Sequence, residues 1–236
     1  MLVVIDPGVH TPEKECWEWI QAESSLAIGV HLPAIEGWTS LDAINLESVQ
    51  GVIILGSGAS PTDPTLEWQF HLKRWLKDYM TLNKPLLGIC YGHQLLAHMY
   101  GGNIHFLSDL DNESYPPDAK ESGLRSLWFT PQEHAHLALF SDKEIPNQTQ
   151  VEWIVSHREV VSSLPIGWIK CGLSSISHLG VELMKHQQAP WWGVQAHIEA
   201  VDAFLVNNQV SLASLPTPYQ GHEFLRAFLK KCEAQE

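Results

Sequence analysis

The chain has 236 residues, of which 44% are hydrophobic and 17% are charged, so it is long enough to bury a substantial core. Its 27 acidic and 14 basic residues give a formal net charge of -13, and the basic residues form no cluster larger than pairs such as Lys230-Lys231. A surface with this charge excludes nucleic acid and anionic membranes as expected partners.

The N-terminal segment Met1-Leu-Val-Val-Ile-Asp6 has no basic leader, and its apolar run is too short for a secretory signal or a membrane span. We expect it to form a buried first strand. The four cysteines, at positions 16, 90, 171 and 232, lack the paired short spacings of a zinc ribbon or a disulfide framework. This cysteine pattern predicts a cytoplasmic protein. The absence of a low-complexity linker or a repeat predicts that residues 1–236 form a single domain.

Predicted strands and helices alternate along the first hundred residues, which is typical of a parallel sheet covered on both faces. The expected fold class is therefore α/β, with a doubly wound, mostly parallel sheet. We expect Asp63 to cap the helix that begins at Pro64. The predicted elements of this part are strands at Leu2 to Ile5, Gly51 to Leu55 and Leu86 to Ile89, and helices at Glu13 to Ser25, Pro64 to Met80 and Gly92 to Tyr100.

The remainder of the chain is less regular. Two segments, 109–122 and 211–221, have the composition of surface loops and predict no particular function. The predicted elements are strands at Leu124 to Phe129, Val151 to Val155, Gly180 to Met184 and Trp192 to Gln195, and helices at Ala200 to Asn207 and His222 to Lys231.

Cys90 lies between Gly88 and Gly92, where a predicted apolar strand meets a predicted helix. A side chain on such a turn points away from the sheet, and glycines on both sides suit a cramped backbone. The N-terminus of the following helix favours the thiolate form of the cysteine. A small apolar residue that fills the strand-helix junction is the alternative, but the order of strand, turn and helix favours a nucleophile.

A cysteine nucleophile requires a base, a group that orients the base, and donors for an oxyanion. His197 follows an apolar strand, and Glu199 comes two residues later, which in an extended segment places both side chains on one face. His93 is too close to Cys90 in sequence and is expected to be structural. The pair His134 and His136 lacks a third ligand, so we expect no metal site. Chemistry based on a cysteine, a base and an oxyanion hole needs neither a metal nor an organic cofactor.

Four motifs resemble those of the class I (triad) glutamine amidotransferase family, also called peptidase C26-like. They are Gly88-Ile-Cys-Tyr-Gly-His-Gln94, Glu121-Ser-Gly123, Ser156-His-Arg-Glu-Val160 and Gly193-Val-Gln-Ala-His-Ile-Glu199. They occur in the order of the family, and the resemblance covers nearly the whole chain. The resemblance implies a doubly wound sheet with Cys90, His197 and Glu199 as a catalytic triad.

The resemblance also implies an oxyanion hole, with some departures in sequence. The loop Leu55-Gly-Ser-Gly-Ala-Ser60 replaces the common Gly-Gly-Pro-x-Ser, so the backbone N–H of Ser57 is one expected donor, with Gly58 as the alternative. The N–H of Tyr91, directly after the cysteine, is the other. In the histidine motif, Ala196 replaces the usual Phe and Ile198 replaces the usual Pro.

The expected substrate is glutamine or a small γ-glutamyl molecule, which is cleaved through a γ-glutamyl thioester on Cys90. By resemblance, Gln94, His157, Arg158 and Glu159 are candidates to bind the amino acid end of this substrate. A surface salt bridge is the alternative for the charged pair Arg158 and Glu159.

Three functions remain open from the sequence. We favour a stand-alone amidotransferase-like enzyme that uses water or a small amine as acceptor. The alternatives are a glutaminase subunit that delivers ammonia to a separate synthase, and a non-catalytic binding protein with the same fold, against which the intact Cys, His and Glu argue.

Overall fold

In the computed structural model, the described residues are 1–109, 116, 119–129, 149–174 and 180–235. His134, His136 and part of the loop expected at 109–122 lie outside these residues. That residues 1–236 form a single domain stays a prediction.

The five predicted helices agree with the structure to within three residues at each end, and the short helix α2 was not predicted. Among the described residues, no helix has the length and apolar character needed to cross a membrane. The helices are α1 (Lys14–Glu23), α2 (Thr39–Asp42), α3 (Glu67–Met80), α4 (Tyr91–Met99), α5 (Asp202–Asn207) and α6 (Gln220–Glu233), with 3-10 turns at Leu46–Ser48 and Leu107–Asp109.

The predicted capping role of Asp63 is wrong. Helix α3 begins at Glu67, and its N-cap residue Leu66 provides no side-chain hydrogen bond. The Asp63 carboxylate instead accepts from the backbone N–H of Thr65 at 2.8 Å and from its hydroxyl at 2.7 Å. A local turn around Asp63 satisfies these groups and delays the start of the helix.

A seven-stranded sheet in the order β2-β1-β3-β4-β12-β11-β9 forms the centre of the fold. The first five strands in this order are parallel, and the last two are antiparallel to their neighbours. This arrangement confirms the predicted doubly wound, mostly parallel sheet. The strands are β1 (Leu2–Ile5), β2 (Ile28–His31), β3 (Gly51–Ile54), β4 (Leu86–Ile89), β5 (Ile104–Phe106), β6 (Glu121–Phe129), β7 (Thr149–His157), β8 (Glu159–Val161), β9 (Trp168–Lys170), β10 (Leu173–Ser174), β11 (Leu183–His186) and β12 (Trp191–Val194).

Both faces of the central sheet are buried. In β1, Leu2 and Val4 belong to one apolar cluster while Val3 and Ile5 belong to another, because successive side chains point to opposite faces. Helices α1, α5 and α6 pack in the first cluster, and helices α3 and α4 pack in the second. Parallel strands buried on both sides are expected to read as continuous apolar runs, as β1, β3 and β4 do.

The second sheet is antiparallel, with the order β10-β6-β7, and a two-stranded sheet pairs β5 with β8. The strand predicted at Gly180 to Met184 is wrong in its start, since β11 begins at Leu183. Gly180 has φ 125°, and the Val181 N–H bonds to the Val161 carbonyl, so the backbone joins the sheet only afterwards. The strands β2, β5, β8, β9 and β10 were not predicted, because their short segments lack the continuous apolar runs of β1, β3 and β4 and are fixed by distant pairing.

Candidate active site

Cys90 lies between β4 and α4 with φ 50° and ψ -101°, a conformation that residues other than glycine rarely adopt. The two glycines beside it are required by close approach. A Cβ atom on Gly88 would lie 2.4 Å from the carbonyl carbon and oxygen of Gly92, and one on Gly92 would lie 2.4 Å from the Ile54 oxygen. The two glycines therefore allow α4 to pack closely on the sheet. Cys90 lies at the turn between β4 and α4.

The carboxyl ends of the parallel strands β1, β3, β4 and β12 meet at one edge of the sheet, where ligands bind in open α/β folds. The register pairs Ile89 of β4 with Val194 of β12, and the Cys90 N–H donates to the Val194 carbonyl at 2.8 Å. The pairing places the segment after β12 beside Cys90. It brings Cys90 and His197 together although 107 positions separate them in the chain.

His197 and Glu199 form a buried pair. The Nδ1 atom of His197 lies 2.8 Å from Oε1 of Glu199, and the residues are only 4% and 1% exposed. Burial acts to lower the pKa of His197, but the Glu199 carboxylate and Cys90, which also hydrogen-bonds to the ring, raise it well above its ordinary value. The contact between the two side chains is as expected, but the extended segment is wrong: the chain turns at Ile198 and Glu199.

Distant segments fix the position of His197. Its N–H donates to the Ile154 carbonyl at 2.7 Å, and its carbonyl accepts from the Tyr219 hydroxyl at 2.7 Å. The imidazole packs on the Phe204 ring with centroids 4.3 Å apart. On the other side lies Gly56, where a Cβ would be 2.8 Å from Cε1 of His197. The imidazole therefore has little room to move.

The loop after β3 contains the expected oxyanion donors. The Ser57 hydroxyl donates to the Pro7 carbonyl at 2.7 Å and accepts from the Ala59 N–H at 3.1 Å, which fixes the loop against the segment after β1. Among the contacts of the described residues, the backbone N–H groups of Ser57, Gly58 and Tyr91 have no protein acceptor. Of these residues, Ser57 and Gly58 line the cleft.

Cys90 opens into a cleft of about 510 Å³, which contains all of the sequence-predicted site residues except Glu199 and Tyr91. Glu199 and the Tyr91 side chain are both buried. The lining consists of residues 8–13, 56–60 and 156–159, together with Cys90, Gln94, Phe106, Lys120, His197, Asn207 and Asn208.

The predicted substrate-binding residues differ in what they present. Gln94 is 3% exposed, and its amide nitrogen donates to the Glu159 carbonyl at 2.7 Å and to Oε1 of Gln195 at 3.2 Å. Glu159 is 7% exposed, and burial raises the pKa of its carboxyl against a hydrogen bond from Ser60. Arg158 is exposed. No salt bridge joins Arg158 to Glu159 in the described part of the chain, and a surface salt-bridge role for this pair stays a prediction.

His157 belongs to a buried charged network. Its ring lies 3.4 Å from a carboxylate oxygen of Glu121, which also pairs with Arg125, and Arg125 pairs with Glu182 at 2.6 Å. Burial and the nearby Arg125 lower the pKa of His157 to about 3, so the ring is neutral at pH 7. The two family-like motifs at 121–123 and 156–160 thus meet across β6 and β7, where Glu121 pairs with His157.

Two residues at the site were missed by the sequence interpretation. Gln195 donates from Nε2 to Sγ of Cys90 at 3.6 Å. Asp6 is fully buried after β1 and accepts from the N–H groups of Gly8 and Glu13 at 2.9 and 2.7 Å, which shapes the wall at 8–13. Gln195 and Asp6 are each a polar residue directly after an apolar strand, and this pattern is the sequence signal that could have identified them.

Among the residues described, no group of three or more His, Cys, Asp and Glu side chains is arranged to hold a metal ion.

Comparison with known proteins supports the fold and gives the family. A solved glutamine amidotransferase of Methylobacillus flagellatus superposes on the chain with a TM-score of 0.66 at 17% identity, covering 100% of this chain and 92% of that one. The sequence pattern of the family "Glutamine amidotransferase class-I" matches residues 3–203, and the chain belongs to this family. The resemblance drawn from the four motifs is thereby confirmed.

Relatives within the family carry more specific names. One is a GMP synthase [glutamine-hydrolyzing] subunit of Pyrococcus abyssi, which is 26% identical over 98% of this chain and 98% of its own length. The GMP synthase subunit of the same type from Pyrococcus furiosus is 30% identical over 84% of this chain and 89% of its own length.

Proposed function

We propose that the chain cleaves the side-chain amide of glutamine, or a related γ-glutamyl bond, with Cys90 as nucleophile, His197 as base and Glu199 as the group that orients the base. The observation that carries this proposal is the buried His197–Glu199 pair, whose imidazole lines the same cleft as Cys90 and has its pKa raised by Glu199 and Cys90. A non-catalytic protein has no need for a buried carboxylate-imidazole pair beside a strained cysteine.

In the first step, the Cys90 thiol transfers its proton to Nε2 of His197, and the thiolate sulfur bonds to the amide carbon of the substrate. The raised pKa of His197 favours this transfer, because the imidazolium that results is paired with Glu199 and with the thiolate. Since Nδ1 of His197 donates to Glu199, the other ring nitrogen is the one that exchanges the proton.

Attack on the amide carbon moves negative charge onto its oxygen. The N–H groups of Ser57 and Tyr91 are proposed to donate to this oxyanion, with Gly58 as the alternative to Ser57. One such donor typically contributes about 3 kcal/mol to transition-state stabilisation.

Collapse of the intermediate breaks the carbon-nitrogen bond, and the proton on His197 goes to the departing amine. A γ-glutamyl thioester remains on Cys90. His197 then takes a proton from water, the hydroxyl adds to the thioester carbon, and the carbon-sulfur bond breaks to give glutamate and the free thiol.

The amino acid end of the substrate is assigned to the wall formed by Gln94, Arg158 and Glu159. Both N–H groups of the Gln94 amide are occupied, so its carbonyl is the group left to accept from the substrate ammonium. The Glu159 carboxylate supplies a negative charge for the same ammonium, and Arg158 suits the carboxylate. His157 is proposed to shape this wall as a neutral side chain, because burial and the nearby Arg125 hold its pKa low.

The acceptor of the released ammonia is the second part of the proposal. The relatives that match over nearly their whole length are named as subunits of glutamine-hydrolysing GMP synthases, which favours a glutaminase subunit that works with a separate synthase. The stand-alone enzyme favoured from the sequence has no such support and is the alternative.

The test is an assay of ammonia and glutamate release from glutamine and a panel of γ-glutamyl peptides. We expect turnover that Cys90→Ser abolishes while the folded state, followed by circular dichroism, is retained. No turnover with any of these substrates would refute the proposed chemistry. Release that rises severalfold on addition of the organism's ammonia-accepting GMP synthase subunit supports the partner, and unchanged release supports the stand-alone alternative.

A further inference from the structure

Gln195 is a buried amide that makes a direct contact with the reacting sulfur. It follows β12, is 1% exposed, and donates from Nε2 to Sγ of Cys90 at 3.6 Å. Nothing in the proposed chemistry uses this side chain. A buried amide is expected to be fully hydrogen-bonded, so the direction in which it points is informative.

Hydrogen-bond accounting fixes the direction of the contact. A backbone carbonyl only accepts, so the Glu159 carbonyl, 2.7 Å from Gln94, requires the NH₂ group of Gln94 on its side. The same NH₂ group lies 3.2 Å from Gln195, which must therefore present its oxygen to Gln94. The NH₂ group of Gln195 is then left to face Cys90.

The opposite orientation of the Gln195 amide is disfavoured on both sides. It would place two NH₂ groups against each other, and would set a carbonyl oxygen beside the sulfur of Cys90. The sulfur already faces one such oxygen, the carbonyl of Ser156 at 4.0 Å. A second oxygen would destabilise a thiolate, whereas an N–H donor stabilises it.

We propose that Gln195 is a further catalytic residue, whose N–H donates to the Cys90 thiolate and increases the fraction of Cys90 that is ionised before attack. The role acts through a relay in which the Glu159 carbonyl orients Gln94 and Gln94 orients Gln195. This role of Gln195 rests on the proposed function, since it serves the attack by Cys90. The hydrogen bond itself does not depend on any substrate.

The contact also distinguishes states along the reaction. A thiolate is a strong acceptor for the Gln195 N–H, while the sulfur of a thioester carries no negative charge and is a weak one. The donor therefore favours the free thiolate over the thiol, and it also favours the departure of the sulfur when the thioester is hydrolysed.

The test is the pH dependence of Cys90 alkylation by iodoacetamide, with the modified cysteine identified by peptide mass spectrometry. The variant Gln195→Met keeps the length of the side chain and removes the donor. A hydrogen bond to a charged group is worth about 1.5–3 kcal/mol, so we expect the midpoint of the profile to move upward by about one to two pH units. Below the midpoint, alkylation slows by about tenfold or more, and above it the two proteins converge.

Gln69→Met is the matched control. Gln69 is also 1% exposed and donates to a backbone oxygen, that of Ser60 at 2.7 Å, but it does not contact the sulfur. We expect a comparable loss of stability with an unchanged alkylation midpoint. An unchanged midpoint in folded Gln195→Met, or an equal shift in Gln69→Met, would overturn the proposal.

A second measurement uses the wild-type protein and holds even if Gln195→Met does not fold. We expect the side-chain amide NMR signal of Gln195 to titrate with the same midpoint as Cys90 alkylation, while the signal of Gln69 does not move. A Gln195 signal that is insensitive to this titration contradicts the proposal. Neither measurement requires turnover, so failure of the Gln195 role and failure of glutamine cleavage are separate results.

Discussion

The nucleophile and the base of this site are positioned in two different ways. Cys90 is fixed by its immediate neighbours, since Gly88 and Gly92 permit the close crossing of β4 and α4. His197 is fixed by distant parts of the chain, the carbonyl of Ile154 and the hydroxyl of Tyr219. Changes near Cys90 should therefore damage the fold, whereas changes around His197 should damage the chemistry first.

The largest effect is expected for Gly92→Ala. The new Cβ would lie 2.4 Å from the Ile54 oxygen, and neither backbone can withdraw without separating α4 from the sheet. We expect a loss of at least about 3 kcal/mol in the free energy of unfolding, measured by urea denaturation. Wild-type stability in this variant would show that residues 88–92, the elbow between β4 and α4, are not rigidly packed.

Glu199→Gln should abolish most activity while the fold persists. The carboxylate that raises the pKa of His197 is removed, and we expect kcat/KM for the preferred substrate to fall by about 10³ to 10⁴-fold. A loss below tenfold would contradict the assigned role of Glu199.

The same variant carries a pH signature in stability. Because the folded-state pKa of His197 lies above its ordinary value of 6.5, protonation stabilises the fold fully below pH 6.5, and this contribution is lost as pH rises through the raised pKa. Urea denaturation at several pH values from 6.5 upward should show this decline in the wild type and a weaker decline in Glu199→Gln. Equal slopes would argue against the coupling of the two side chains.

Gly56→Ala tests how little room the imidazole has. The added Cβ would meet Cε1 of His197 at 2.8 Å, so the ring must shift. We expect kcat to fall by about 10²-fold, with a small change in melting temperature. At Gly58 a Cβ would find only Val9, at 3.9 Å, so Gly58→Ala is the steric control, and an equal loss there would show that loop flexibility matters rather than the His197 contact.

Tyr219→Phe should have the smallest effect on catalysis. It leaves the Ile154 N–H and the His197 carbonyl without the hydroxyl that bridges them, at a cost of about 1–3 kcal/mol in stability. We expect kcat to fall by about tenfold as His197 loses its support. Tyr79→Phe removes another buried hydroxyl, bonded to the Pro85 carbonyl at 2.8 Å, and should lose comparable stability with kcat unchanged.

The contrast between local and distant positioning also explains which features the sequence predicts. The elbow, the apolar strands around it and the family motifs are local patterns, and they predict the central sheet and the place of Cys90. The capping role of Asp63 failed because a local Asx turn competes with the helix for the same side chain.

Contacts between distant segments are outside the reach of such patterns. Nothing local indicates that Tyr219 supports His197, that Gln195 points at the sulfur, or that His157 is buried beside Arg125. These positions depend on the pairing of β6 with β7 and of β4 with β12, and that pairing forms only in the complete fold.

Cys90 is proposed to form a covalent γ-glutamyl intermediate with the help of His197. The most direct measurement is intact-protein and peptide mass spectrometry after incubation with a glutamine-mimicking electrophile, in the wild type, in Cys90→Ser and in His197→Ala. We expect one adduct per chain, located on Cys90, absent from Cys90→Ser and formed at least about 10²-fold more slowly in His197→Ala. Absence of an adduct on Cys90 in the wild type, or labelling that is independent of His197, would contradict this proposal.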